Sequence, residues 1–173
     1  MAILPIRIYP DAVLRAQCRP VEVFDSVLRR LAEDMVETMH AAPGVGLAAP
    51  QVGIDLRLAV VDISVGEDPA QVRILINPEL LHKEGLETDV EGCLSLPGLT
   101  DKVDRPAWVR LRAVDLAGEP YELEADGFFA RALCHEIDHL NGILFTDHLR
   151  GLRKERARRA LKRLAAEREE VLV

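Results

Sequence analysis

The chain has 173 residues, enough for one domain with a real core and too few for two ordinary ones. Its formal net charge of −7 excludes a whole-molecule nucleic-acid binder, so no DNA partner is expected. The opening Met1 to Arg7 lacks the leader, apolar stretch and cleavage site of a signal peptide, and no apolar run approaches the roughly 20 residues that span a bilayer. The expectation is a cytoplasmic chain with no membrane contact.

Residues 3–9, interrupted by Pro5, read as extended. From Asp25 a helical period begins, with Val27, Leu28, Leu31, Ala32, Met35, Val36 and Met39 on one face and charged residues on the other. Asp25 or Ser26 fits its N-cap, and Pro43-Gly44 ends it. Residues 56–63 and 72–76 are rich in β-branched and aliphatic side chains and read as strands, as does 80–90. Residues 108–114 alternate apolar and basic and form a hairpin with 121–123 through the turn at 116–119. Asp126 is placed to cap a helix from about Gly127 to Asn141, closed by Gly142. A last helical stretch covers roughly 148–170. Strands first and helices late predict one α+β domain over 1–173. Mostly antiparallel sheets would pack around a central helix, with a C-terminal helix beyond.

That central helix carries His135-Glu136-Ile137-Asp138-His139. Histidines four apart share one helical face, so their imidazoles can hold one metal ion. The glutamate beside the first can move a proton on a water. The plainer reading is two ordinary histidines beside a core stripe of Leu133, Ile137, Leu140 and Ile143. Catalytic metal sites of this type use three protein ligands and leave a place for water. One protease class adds a histidine at fixed spacing beyond a glycine; Gly142 fits, but Phe145 stands where the histidine would be. A second class takes a later glutamate, for which Glu155, Glu167, Glu169 and Glu170 are available. A third option is Cys93, between Gly92 and the Leu94-Ser95-Leu96-Pro97-Gly98 run at the end of a predicted strand. Cys134 lies about 100° round the helix from His135 and reads as a small buried residue. Cys18, His40, His82 and His148 have no ligand spacing and read as structural or exposed.

The stretch Gly44-Val45-Gly46-Leu47-Ala48-Ala49-Pro50-Gln51 superficially matches a dinucleotide fingerprint. A helix precedes it, and Pro50 and Gly53 prevent one from following, so nucleotide binding is excluded. It reads instead as a small-residue strand lining a cleft, with the Gln51 amide able to donate a hydrogen bond.

GVGLAAPQ, EGCLS and HEIDH, in that order and at these separations, resemble the peptide deformylases of bacterial type. The likeness runs from Pro10-Asp11 to Asp147-His148-Leu149. It implies a deformylase fold and removal of the formyl group from the initiator methionine of nascent polypeptides. It also implies one divalent metal: iron(II) natively, with zinc or nickel able to replace it. By the same resemblance Cys93, His135 and His139 are the metal ligands, and Gln51, Leu94 and Glu136 are catalytic. Glu136 would act as base and then acid, while Gln51 and the Leu94 N–H donate to the oxyanion. Val45, Gly46, Phe128, Ala132 and His135 would form the methionine pocket. The smallness of Gly46 would help to exclude acyl groups larger than formyl. Arg131, one turn before His135, is placed either to meet peptide carbonyls at the rim or to stand solvated. Glu91 is expected either to pair with Arg105 or to lie at the surface.

Residues 150–168 are rich in arginine and lysine, with a narrow stripe of Ala157, Ala160, Leu161 and Leu164. The stripe reads as a docking face on the domain. The resemblance points the basic face toward the ribosome near its exit tunnel. Two competing readings stand beside the deformylase: a small metalloprotease with a tail glutamate as ligand, and a non-catalytic ribosome-associated module.

Overall fold

The computed structural model describes residues 2–171. Helix α1 spans Ser26–Ala41, and Asp25 caps it by accepting the Leu28 N–H at 3.0 Å. Leu28, Ala32, Met35 and Met39 form its buried face, but Val27, expected there, is 73% exposed. After the turn at 42–45 come strands β1 (Gly46–Ala48), β2 (Leu58–Val61) and β3 (Arg73–Glu84). Then follow β4 (Glu87–Gly92), β5 (Thr100–Arg105), β6 (Trp108–Val114) and β7 (Pro120–Asp126). Helix α2 covers Gly127–Leu140 and α3 covers Gly151–Val171.

The strands form a five-stranded antiparallel sheet in the order β1-β2-β3-β6-β7, and a separate β4-β5 hairpin. Strand β2 shows how the layers assemble. Leu58 and Val60 pack into the cluster of α1, while Ala59 and Val61 pack into the cluster of α2. Both faces of this strand are therefore covered, which explains an apolar run without alternation. Strand β6 alternates as its sequence predicts, with Val109, Leu111 and Ala113 buried between exposed Arg110 and Arg112. These findings bear out the α+β class and the antiparallel pairing.

Several element boundaries differ from expectation. The single strand at 80–90 is two strands, separated by Gly85 at φ +71°, a backbone region that a glycine enters without penalty. Asp126 occupies the N-cap position of α2, yet its side chain makes no capping hydrogen bond. The last helix starts at Gly151 rather than 148, because Phe145–His148 forms its own 3-10 turn with Phe145 buried. Residues 3–9 are extended but unpaired as a strand; Arg7 N–H donates to the Gln51 carbonyl at 2.6 Å and Tyr9 N–H to that of Ser95 at 3.0 Å. The segment thus ties together the two loops that follow β1 and β4.

A third cluster lies beneath the β4-β5 hairpin. Leu96, Val103, Leu144, Phe145, Leu149 and Ala157 fill it, with Cys93, Leu161 and Leu164 at its edge. Helix α3 docks here through its narrow stripe and buries only Ala157 fully. Among the described residues no helix is long and apolar enough to cross a membrane.

Candidate metal centre

Three elements converge at one end of α2. The helix presents His135, Glu136 and His139; the loop after β4 presents Cys93 and Leu94; the 3-10 turn Ala49–Val52 after β1 presents Gln51. The Cys93 Sγ stands 3.4 Å from His139 Nε2, and the Nε2 atoms of His135 and His139 stand 3.2 Å apart. The donor atoms of all three residues lie within 4.8 Å of one another. A tetrahedral ion with bonds of about 2.0–2.1 Å to nitrogen and 2.3 Å to sulfur requires donor separations of about 3.3–3.6 Å. The two separations that involve His139 lie at or close to that range, and Cys93 and His135 stand within 4.8 Å of one another.

The surroundings fit the same use. Nδ1 of His135 pairs with the Glu91 carboxylate at 2.8 Å, which turns its Nε2 toward His139 and Cys93. Burial, reinforced by the neighbouring His135, holds His139 well below the ordinary imidazole range. That direction favours the neutral form a ligand needs. For His135, burial is outweighed by the hydrogen bonds to Cys93 and Glu91, which push the imidazole up to about 10, so a metal ion there would have to displace a proton. The donor set can hold one divalent metal ion. Among the described residues it is the one group of three such side chains, and the glutamates of α3 do not belong to it.

Above the donors opens a cavity of about 500 Å³, lined by Val45, Gly46, Gln51, Cys93, Leu94, Phe128, Arg131, Ala132, His135 and Glu136 among others. His139 lies beneath it, buried. Every residue nominated from sequence is thus at the cavity or directly under it. Phe128 is half exposed at the rim, whereas Ala132 is buried.

Glu136 is 3% exposed, and its Oε2 has no protein partner. Burial pushes its carboxyl up to about 7, so it can both take and release a proton near neutral pH. It packs against Gly46, where a Cβ would lie 2.8 Å from the Glu136 carboxyl carbon. Gln51 is equally fixed. Its Oε1 accepts the Ala48 N–H at 2.9 Å, while its Nε2 donates to Ser95 Oγ at 3.2 Å and faces Cys93 Sγ at 3.6 Å.

The structure decides between the alternatives left open at two residues. A solvated Arg131 is not what is found. It is 4% exposed and donates to Glu91 Oε2 at 2.7 Å and to the carbonyls of Val103 and Glu87 at 2.8 and 2.9 Å. Its guanidinium is committed to the protein, because the hairpin covers that side of α2. For Glu91, of the two readings left open, the pair with Arg105 is the one found, and the carboxylate is buried. Sequence reasoning also passed over Ser95, which is fully buried and anchors Gln51, and Asp138, which pairs with Arg105 at 2.6 Å. Both sit inside motifs already singled out, so their position was the available signal. His148, read as structural or exposed, faces Asp138 at 2.7 Å.

A profile of the polypeptide deformylase family matches residues 3–155. The peptide deformylase of Azotobacter vinelandii is 51% identical over 164 residues, covering 94% of this chain and 96% of its own. Among solved structures, a peptide deformylase from Legionella pneumophila superposes with a TM-score of 0.88 at 43% identity, over 97% of this chain and 98% of its own. That of Thermus thermophilus gives 0.88 at 45% identity, over 95% and 99%. The fold, the donor set and these likenesses agree, and the chain belongs to the polypeptide deformylase family.

Proposed function

We propose that the chain is a metal-dependent peptide deformylase, releasing formate from the formyl-methionine that begins nascent polypeptides. The observation that carries this reading is the convergence of Cys93, His135 and His139 beneath a cavity floored by a buried, unpartnered Glu136. In it, Cys93, His135 and His139 hold one divalent ion. Iron(II) is the expected native ion, and the thiolate and imidazoles also suit zinc or nickel. When bound, such an ion acidifies water and polarises a carbonyl oxygen.

The chain's own residues supply the remaining steps. Glu136 takes a proton from the attacking water at its free Oε2. It later delivers that proton to the leaving amide nitrogen, so formate and a free amine result. The Gln51 amide, locked by Ala48 and Ser95, and the Leu94 N–H are the proposed donors to the oxyanion. Losing one such donor typically costs about 3–4 kcal/mol in the barrier. Val45, Phe128, Ala132 and the His135 ring line the volume proposed for the methionine side chain. Arg131 braces the wall of that pocket, since its Nη1 and Nη2 already donate to Glu91 and to the carbonyls of Val103 and Glu87. Gly46 lets the Glu136 carboxylate sit against the strand, and a cleft lined by such small residues beside Glu136 would favour formyl over larger acyl groups.

The whole chain acts as one domain in this reading, in the cytoplasm where formylated chains are made. The face of α3 carrying Arg156, Arg159 and Arg163 is exposed, which supports a ribosome contact near the exit tunnel. The test is formate release from a formyl-Met peptide by anaerobically prepared, metal-loaded protein. Wild type should release formate, while Glu136→Gln should retain metal and lose roughly 10²–10⁴ in turnover. No release by loaded wild type, or equal turnover in the variant, would contradict it.

A further inference from the structure

The three donors come from two elements that are not contiguous in sequence. Helix geometry fixes His135 relative to His139, but nothing local fixes either relative to Cys93. What joins them is a buried ion lattice. Glu91 is the penultimate residue of β4, two before Cys93, and Arg105 closes β5. The Glu91 carboxylate accepts Nε and Nη2 of Arg105 at 2.7 and 2.8 Å, and its Oε1 also meets His135 Nδ1 at 2.8 Å. The same Arg105 sends Nη1 to Asp138 at 2.6 Å. Asp138 lies between Glu136 and His139 on α2. One guanidinium thus grips the hairpin at Glu91 and the helix at Asp138. Arg105 is 4% exposed, and neither it nor Asp138 lines the cavity.

We propose that Arg105 is a positioning residue for the metal centre: its fork on Glu91 and its third bond to Asp138 hold the Cys93 hairpin and the His135–His139 helix at the separation one ion requires. This rests on the metal reading above. The chemistry suits the task. A planar guanidinium makes a bidentate pair and a further bond at a fixed angle, which a lysine ammonium cannot reproduce. A buried ion pair is weak evidence for stability, because an apolar replacement is often as stable. It does define a single relative placement of two elements. Glu91, held by Arg105 and Arg131, in turn accepts a hydrogen bond from His135 Nδ1–H and leaves Nε2 free to bind.

The test compares Arg105→Lys, Asp138→Asn and Cys93→Ala with wild type. Zinc affinity is measured on each folded apo-protein by competition with a chromophoric chelator. The absorption of the cobalt(II)-loaded protein is recorded at saturating cobalt. Arg105→Lys should weaken zinc binding about ten- to a hundredfold, and Asp138→Asn several-fold. Both should shift the ligand-field bands of bound cobalt, which a loss of fold stability alone would not do. Zinc affinity within twofold of wild type and an unchanged cobalt spectrum in both variants would overturn the proposal. If Arg105→Lys fails to fold, Asp138→Asn, which keeps the fork on Glu91, decides by the same two readouts. Loss of zinc in Cys93→Ala with wild-type behaviour in the other two rejects the positioning role alone. Unchanged zinc binding in Cys93→Ala rejects the metal reading itself.

Discussion

Glycine at position 46 leaves room that the Glu136 carboxylate fills. A methyl group there would meet the carboxyl carbon at 2.8 Å, a distance real Cβ atoms do not adopt, so Glu136 would have to move. Gly46→Ala should therefore lower kcat/KM for a formyl-Met peptide by about a hundredfold, the scale of a misplaced catalytic group. Metal content measured on the same sample should stay at the wild-type value; loss of the ion would place the defect elsewhere. The sequence made the His135–His139 pair legible because a spacing of four has one meaning on a helix. It made Gly46 legible as small but not as the neighbour of Glu136, since that contact joins residues ninety positions apart. The pairing of Glu91 with Arg105 was legible only as one of two alternatives, and the burial of Arg131 not at all, for a related reason. A charged residue reads as solvated until a second element covers it, and here the β4-β5 hairpin and α2 cover one another.

At the scale of elements, α3 has two different faces. Ala157, with Leu161 and Leu164, packs into the cluster that also contains Leu96 and touches Cys93. Its other face is exposed arginine and lysine. Ala157→Leu should overpack the cluster and cost about 1–3 kcal/mol, read as a lowered denaturation midpoint. Reversing the charges of Arg156, Arg159 and Arg163 should leave that midpoint nearly unchanged and weaken salt-sensitive ribosome association. Equal association in the charge-reversed protein would remove the proposed partner. Deleting the helix would confound the two effects, because it also unroofs the Cys93 loop. The periodicity of α3 was visible in the sequence, whereas its start at Gly151 was not, because the turn at 145–148 satisfies its own backbone. Strand β2 was legible from apolar content alone, but its burial by α1 on one face and α2 on the other is a property of the assembled layers.

The whole molecule should weaken in acid, and Asp62 shows why. This buried carboxylate follows β2 and meets His40 Nε2 at 2.7 Å, Ser64 Oγ at 2.6 Å and the N–H groups of Ser64 and Gly66, each at 2.9 Å. Burial by itself would raise its pKa, but the hydrogen bonds from Ser64, His40 and Gly66 outweigh it and bring it down to about 2. The unfolded chain binds that proton at about 3.9. The folded pKa is the lower one, so the stabilisation is complete above about pH 4 and is lost as pH falls from about 4 to 2. Denaturation midpoints measured across that window should fall less steeply in Asp62→Asn than in wild type. Parallel curves would show that Asp62 has no part in the acid limb.

In this reading one ion is held jointly by the hairpin and α2. Anomalous diffraction, collected at the absorption edge of the bound metal from crystals of the loaded protein, tests this without recourse to activity. A single peak is expected within bonding distance of Cys93 Sγ, His135 Nε2 and His139 Nε2, facing the cavity that contains Glu136. A peak elsewhere, or one held by the two histidines with a carboxylate in place of the cysteine, would contradict it.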